Sequence, residues 1–292
     1  MSGRSPQPNL LPANLPYGLS LTWRESSDFN PLRARNTLAS RFDPAVAILG
    51  IGDPLLKSLS LPLPALRPFP SLAGPGVSIP SSQGALWAFA TAQTRSELFD
   101  ISESLVALFG NDFILEDRME TFTYREGRDL SGYVDGTENP SGDRAFSVAI
   151  SDGTATPRGS SFVAVQRWEH NLDLLHAHSR SEQDRMIGRS LETNREIEDA
   201  PISAHVKRSA QESFSPEATL YRKSMPWTQG NKKGLEFIAF GSSLDPFERI
   251  LRRMAGTEDG IRDALFTFST PTTGSYYWCP PVSGQALDLS LP

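Results

Sequence analysis

The chain has 292 residues and a mass of 32.0 kDa; 38% of the residues are hydrophobic, 21% are charged, and the formal net charge is -6. That length supports one large or two ordinary hydrophobic cores without disulfides, and the acidic balance argues against a nucleic-acid partner. The single cysteine, Cys279, cannot form an internal disulfide, and no run approaches the roughly 18 to 20 apolar residues of a membrane span, so a cytoplasmic, non-membrane protein is expected.

In chain order, the amino terminus is broken by Pro6, Pro8, Pro12 and Pro16 and lacks the apolar stretch of a signal peptide. Ala45 to Gly50 reads as a buried strand, and Pro62 to Pro80 as a proline-rich connection. Ala85 to Ala90 is a second strand. A helix follows it, with Thr94 and Glu97 as a capping box, Leu98, Ile101, Leu105 and Leu108 on one face, and Gly110 closing it. In the second half, Ser161 to Trp168 and Gly234 to Phe240 read as strands. Asp245 is read as the N-cap of a helix with Pro246 at its first position and Glu248 at the third; Phe247, Ile250, Leu251 and Met254 form its stripe, and Gly256 ends it. Strands separated by helices in each half imply α+β architecture with antiparallel sheets, divided near residue 130.

The motif search first excludes chemistry. The chain has no phosphate loop ending in Lys-Ser/Thr, no zinc-spaced cysteine pair, and neither HExxH nor GxSxG. Of the four histidines, His176 and His178 read as surface residues and His170 as a strand-end residue; His205 taken alone reads as half-buried and backbone-bonded. Arg222, in Leu220 to Trp227, reads alone as snorkelling or salt-bridged. Asp135, in GYVDGTENP, reads alone as a turn residue, because Asp-Gly and Asn-Pro are turn dipeptides.

Taken together and in order, GYVDGTENP (132–140), SAHVKR (203–208) and YRKSMPW (221–227) resemble the dye-decolorising haem peroxidases, in the bacterial-type branch called class B. The GxxDG motif of that family falls on Gly132, Asp135 and Gly136. LRPFP from Leu66, EGRDLSGYVDGTENP from Glu126, IGR ending at Arg189 and PTTG ending at Gly274 extend the likeness from about residue 60 to about residue 280. The resemblance implies two ferredoxin-like modules of the dimeric α+β barrel kind, residues 1–130 and 131–292, with haem b held in the second. It makes His205 the proximal iron ligand, Asp135 the distal acid and base, Arg222 the distal arginine and Ser224 a distal polar neighbour. Gly132 and Gly136 then let Asp135 lean over a flat macrocycle from a rigid turn. Leu235 and Phe237 become dry pocket walls, and ordinary core packing explains them equally well. Arg189 becomes a propionate partner, with a plain helix-end arginine as the alternative.

The implied partners are hydrogen peroxide, an aromatic donor such as a dye or phenol, and further copies of the chain in a homo-oligomer. Tyr133, Trp168, Trp227, Tyr276, Tyr277 and Trp278 are candidates for passing electrons to the surface. The C-terminal ALDLSLP is the segment that would dock on a nanocompartment shell, although it lacks a glycine-rich pattern. One position departs from the family: Thr267 stands where an acid commonly precedes Phe-Thr-Thr. If that acid orients the proximal histidine, either His205 is held more weakly here or another acid, such as Asp263, takes its place. The alternative functions on the same scaffold are a haem carrier or sensor and a deferrochelatase-like protein. Because carboxylates ordinarily titrate near pH 4 and an arginine neighbour opposes any rise, substrate oxidation is expected to be fastest at mildly acidic pH; a pH–rate profile peaking on the alkaline side would contradict this.

Overall fold

Ten antiparallel strands form the main sheet of the computed structural model, which describes residues 3–291. Four come from the first half: β1 (Tyr17–Glu25), β2 (Ile48–Ile51), β3 (Leu86–Ala92) and β4 (Phe113–Phe122). The second half gives β5 (Ser161–His170), β6 (Tyr221–Arg222), β7 (Met225–Gln229), β8 (Lys232–Gly241), β9 (Ser269–Pro271) and β10 (Ser275–Cys279). The first half pairs in the order β2-β3-β1-β4 and the second in the order β10-β5-β8-β7. Thr121 against Trp227 joins β4 to β7, and Trp278 against Ile51 joins β10 to β2. Eight strands thereby close into a ring, which leaves few unpaired edges.

Strand alternation sorts side chains between the inside and outside of this ring. Along β8, Ile238 and Phe240 point inward to join Trp87, Phe89, Val163, Val165 and Tyr277 in one core. Between them and the barrel end, buried Glu236 binds Arg167 Nε at 3.0 Å, and Arg167 also grips Asp117 at 2.6 Å. Burial raises the Glu236 carboxyl against the opposing pull of Arg167. Leu235, Phe237 and Ala239 point outward, into the core that the helices cover.

Those helices include α1 (Arg95–Phe109), α2 (Arg180–Ile187), α3 (His205–Ser209) and α4 (Asp245–Met254). The Thr94–Glu97 capping box forms as expected, with Thr94 Oγ1 accepting from the Glu97 N–H at 3.2 Å. Helix α4 differs in one detail. Asp245 is its first helical residue and Leu244 occupies the cap without a side-chain bond, because the Asp245 carboxylate instead accepts from Arg67 at 2.8 Å. Phe247 of α4 packs its ring 5.8 Å from that of Phe237, which fixes the helix on the outer face of β8.

The chain end folds back. Val282–Ser283 and Ala286–Leu287 pair as a short hairpin, and Leu287 and Leu289 are buried. Arg4 holds Asp288 at 2.6 Å. The leucines of ALDLSLP therefore lie in the protein's own core, while Pro292 lies outside the described residues. Among the described residues, no helix is long and apolar enough to cross a membrane.

Candidate active site

The loop after β4 carries GYVDGTENP, and its backbone is set by two glycines in the left-handed region, Gly132 at φ 92° and Gly136 at φ 79°. A β-carbon on Gly132 would come within 3.2 Å of Leu191, so the turn also needs the missing side chain for space. The loop is bolted on several sides. Arg128 donates to the Gly132 carbonyl at 2.7 Å, the Asp135 N–H donates to the Gly127 carbonyl at 3.2 Å, and the buried Tyr133 hydroxyl donates to Asp184 of α2 at 2.6 Å. Burial and the Asp184 carboxylate both push the Tyr133 hydroxyl upward, so it stays a donor.

Asp135 leaves this loop to meet Arg222. Oδ1 accepts from Arg222 Nη1 at 3.1 Å, with both side chains about one-fifth exposed (22% and 20%). Oδ2 has no hydrogen-bond partner among the described residues, and Arg222 Nε is buried without one. Because Arg222 pairs with Ala239 in register, its side chain lies on the outer face of the ring, the face that also carries Leu235 and Phe237. Ser224 sits where β6 gives way to β7, and its Oγ accepts from the Ile238 N–H at 3.3 Å. Leu235 and Phe237 are only half-buried although they lie mid-sheet, so part of this face is open.

His205 opens α3, which packs on α4 against that same face. Its Nδ1 lies 2.8 Å from Asp263 Oδ2, and Asp263 is fully buried. The other Asp263 oxygen accepts from the Leu265 N–H at 2.8 Å, which fixes the carboxylate in place. A carboxylate only accepts, so Nδ1 carries the proton and the Nε2 lone pair is left bare. The open choice between a weakly held His205 and a substitute acid is thus resolved in geometry, since Asp263, four residues before Thr267, holds the ring. Leu265 and Phe266 follow at once, and the Phe266 ring packs 5.3 Å from Trp168, next to Leu235 on the outer face.

Arg189 follows the left-handed Gly188 at the end of α2 and is paired with carboxylates already, Glu138 at 2.6 Å and Glu196 at 3.7 Å. Glu138 belongs to the Asp135 loop, so Arg189 ties that loop to the segment leading into α3. His176 is exposed and His178 partly so; among the described residues no group of three or more His, Cys, Asp or Glu side chains could hold a metal ion. The six aromatic relay candidates, Tyr133, Trp168, Trp227, Tyr276, Tyr277 and Trp278, are all buried, so none can present its ring to a donor at the surface. Five of them lie on strands or pack against the sheet, where large rings fill the barrel and its outer layer, and Tyr133 is buried in its loop against Leu175 and Ile187.

One pairing had no signal in sequence. His170, at the end of β5, is buried with Nδ1 2.7 Å from Ser269 Oγ and Nε2 3.0 Å from Asp129 Oδ1. Asp129 lies six residues before Asp135 and also accepts from the Ser131 N–H at 2.7 Å. Burial alone would raise the Asp129 carboxyl, but the charge and hydrogen bond of His170 and the Ser131 bond outweigh it and hold the group at about 2. A carboxyl lowered in the fold contributes stability above its unfolded value, near 4, and that contribution is lost as pH falls from there toward 2. Asp129→Asn should therefore cost about 2 kcal/mol near pH 5, and the cost should vanish toward pH 2; thermal melts of both proteins across that range measure it.

Comparison with known proteins gives one family model, described as Dyp-type peroxidase, C-terminal, matching residues 126–284. Two curated relatives, both named dye-decolorizing peroxidase, come from Mycobacterium tuberculosis and Mycolicibacterium paratuberculosis. The first is 31% identical over 74% of this chain and 67% of the relative, the second 32% identical over 81% and 69%. Among solved structures, a dyp-type peroxidase protein from Shewanella oneidensis superposes with TM-score 0.89 at 26% identity, covering 96% of this chain and 97% of that one. A variant of DypB from Rhodococcus jostii RHA1 in complex with heme gives TM-score 0.83 at 28% identity, covering 95% and 97%.

Proposed function

The chain belongs to the Dyp-type peroxidase family and is a peroxidase, and from that premise we propose that it uses haem b to reduce hydrogen peroxide and oxidise an aromatic donor, with Asp135 and Arg222 on one side of the macrocycle and His205 on the other. The observations that support this reading are the Asp135–Arg222 pair at 3.1 Å and a histidine, His205, whose Nδ1 is held by a buried carboxylate. A haem carrier or sensor has no use for a paired acid and guanidinium above the ring.

Haem b fits the residues present. The half-buried wall of Leu235, Phe237, Leu265 and Phe266 suits a flat apolar group, the bare Nε2 of His205 suits iron, and the orphaned Arg222 Nε is a buried donor awaiting an acceptor. Gly136 takes the left-handed backbone that the turn beside Asp135 requires, and Arg189, already among carboxylates, is the residue to hold a propionate. When bound, haem supplies the iron that takes electrons from the donor and passes them to peroxide.

The protein's own part is proton handling and charge placement. Peroxide must lose a proton from one oxygen and gain one on the other before the O–O bond breaks, and one positioned group can do both. Asp135 Oδ2, free of other bonds, takes the proton from the nearer oxygen and returns it to the farther one. Meanwhile Oδ1 stays tied to Arg222, which keeps the carboxylate aimed. The Arg222 guanidinium holds its charge throughout and stabilises the negative charge that develops as the O–O bond opens. Asp263 keeps the His205 proton on Nδ1, so the ring cannot rotate or change tautomer.

The test is an absorption spectrum of the haem-loaded protein. Peroxide should change it within seconds, and an added dye should restore it while losing its own colour. Failure to take up haem, or a spectrum indifferent to peroxide, overturns the reading.

A further inference from the structure

Asn139 ends the loop that carries Asp135, and its carboxamide is spent wholly on the main chain of one residue. Nδ2 donates to the Arg222 carbonyl at 2.9 Å, and Oδ1 accepts from the Arg222 N–H at 2.8 Å. The reason those groups are free lies in the sheet. Strand β6 is two residues long and pairs with β8 on one side only, continuing the line of β7 past the end of β4. The next residue, Lys223, gives its N–H to the Ile238 carbonyl at 2.8 Å. By alternation, Arg222 turns its own N–H and C=O away from β8 toward the open edge. A primary amide has one donor group and one acceptor side by side, and there it does what a neighbouring strand would do.

The turn that delivers Asn139 is the same one that delivers Asp135. The Asn139 N–H donates to the Gly136 carbonyl at 2.9 Å, and Gly136 adjoins Asp135. Two side chains four residues apart thus grip Arg222 at both ends, one at the guanidinium and one at the main chain. Resting on the proposed peroxidase reading, we propose that Asn139 is a positioning residue for the peroxide reaction, fixing the Arg222 main chain to the Asp135 loop so that guanidinium and carboxylate keep one separation. The inference reaches past edge-strand stability, because an amide that merely sealed the edge would act whether or not Arg222 had a guanidinium.

The experiment is a double-mutant cycle on the full-length, haem-loaded chain with Asn139→Ala, Arg222→Leu and the two combined, reading the second-order rate with hydrogen peroxide. Asn139→Ala should slow that rate roughly tenfold when Arg222 is present and leave it unchanged on the Arg222→Leu background. Residue-resolved amide exchange is read alongside: the Arg222 amide should exchange about tenfold faster in Asn139→Ala while Lys223 keeps its protection. Should Asn139→Ala fold poorly, Asn139→Asp keeps the acceptor and loses the donor, so it should retain the Arg222 amide protection and still lower the rate. Equal losses in both backgrounds, or an unchanged Arg222 amide, overturn the proposal. Haem-loaded protein whose peroxide rate survives Arg222→Leu overturns the peroxidase roles themselves, whereas loss there with none from Asn139→Ala overturns only the role of Asn139.

Discussion

Arg222→Leu lowers the second-order rate with hydrogen peroxide by about 10² to 10³ fold, the loss typical of removing one aimed charge or donor from a developing negative centre. Asp135→Ala lowers it by no more than that. The order follows from the geometry. With Asp135 gone, Arg222 keeps its main-chain grip from Asn139 and its pairing with Ala239, so the charge-stabilising group stays where it was, and water can relay the proton. With Arg222 gone, Asp135 loses the only side chain among the described residues that aims its carboxylate, so both functions suffer. Leucine is close to arginine's stem in bulk, so the fold persists. Stopped-flow absorption of the three haem-loaded proteins decides the matter, and a larger loss in Asp135→Ala than in Arg222→Leu contradicts the assignment.

His205→Ala abolishes tight haem retention, and Asp263→Asn weakens it by roughly 10- to 100-fold, the usual cost of removing the group that orients a metal-ligating imidazole. The asparagine is nearly isosteric and keeps an acceptor for the Leu265 N–H, so the turn survives. What it loses is the negative charge that fixes the proton on Nδ1, and with it the constant presentation of Nε2. Titrating haem into each protein and following the absorption maximum measures both. If Asp263→Asn binds as tightly as the parent, the buried carboxylate is an edge-turn cap and nothing more.

The short motifs legible in the sequence were those whose chemistry is local. The capping box at Thr94 and Glu97 is a contact between residues three apart, and it formed as read. The GxxDG turn needs only the conformational freedom of Gly132 and Gly136, and both glycines take it. Asp135 and Arg222 could be named only through the family resemblance, since nothing at residue 135 announces a partner at residue 222. The support around them was not legible at all. Asp263 reaches His205 because the chain returns beside Ser203, where the Ala264 N–H bonds its carbonyl. His170 meets Asp129 because β5 ends where the β4 loop passes. Strands β1 and β4 also escaped the reading. Trp23 and Met119 carry an apolar signal, but Glu116, Asp117, Arg118 and Glu120 interrupt it, and the long register between the two strands supplies what local pattern lacks. Asp245 was misread as a cap because the competing acceptor role, toward Arg67, lies 178 residues away.

The bridge between Trp278 and Ile51 sets an order of events in the cell. A ring that closes only when residue 278 reaches residue 51 cannot be completed before residue 278 has been made and has left the ribosome. Both sides of the prospective macrocycle site, from Asp135 through Asp263, precede that closure in synthesis but rest on strands that it locks. Removal of Ser275–Cys279 is therefore expected to open the ring and weaken haem retention, even though every residue proposed to touch the porphyrin remains.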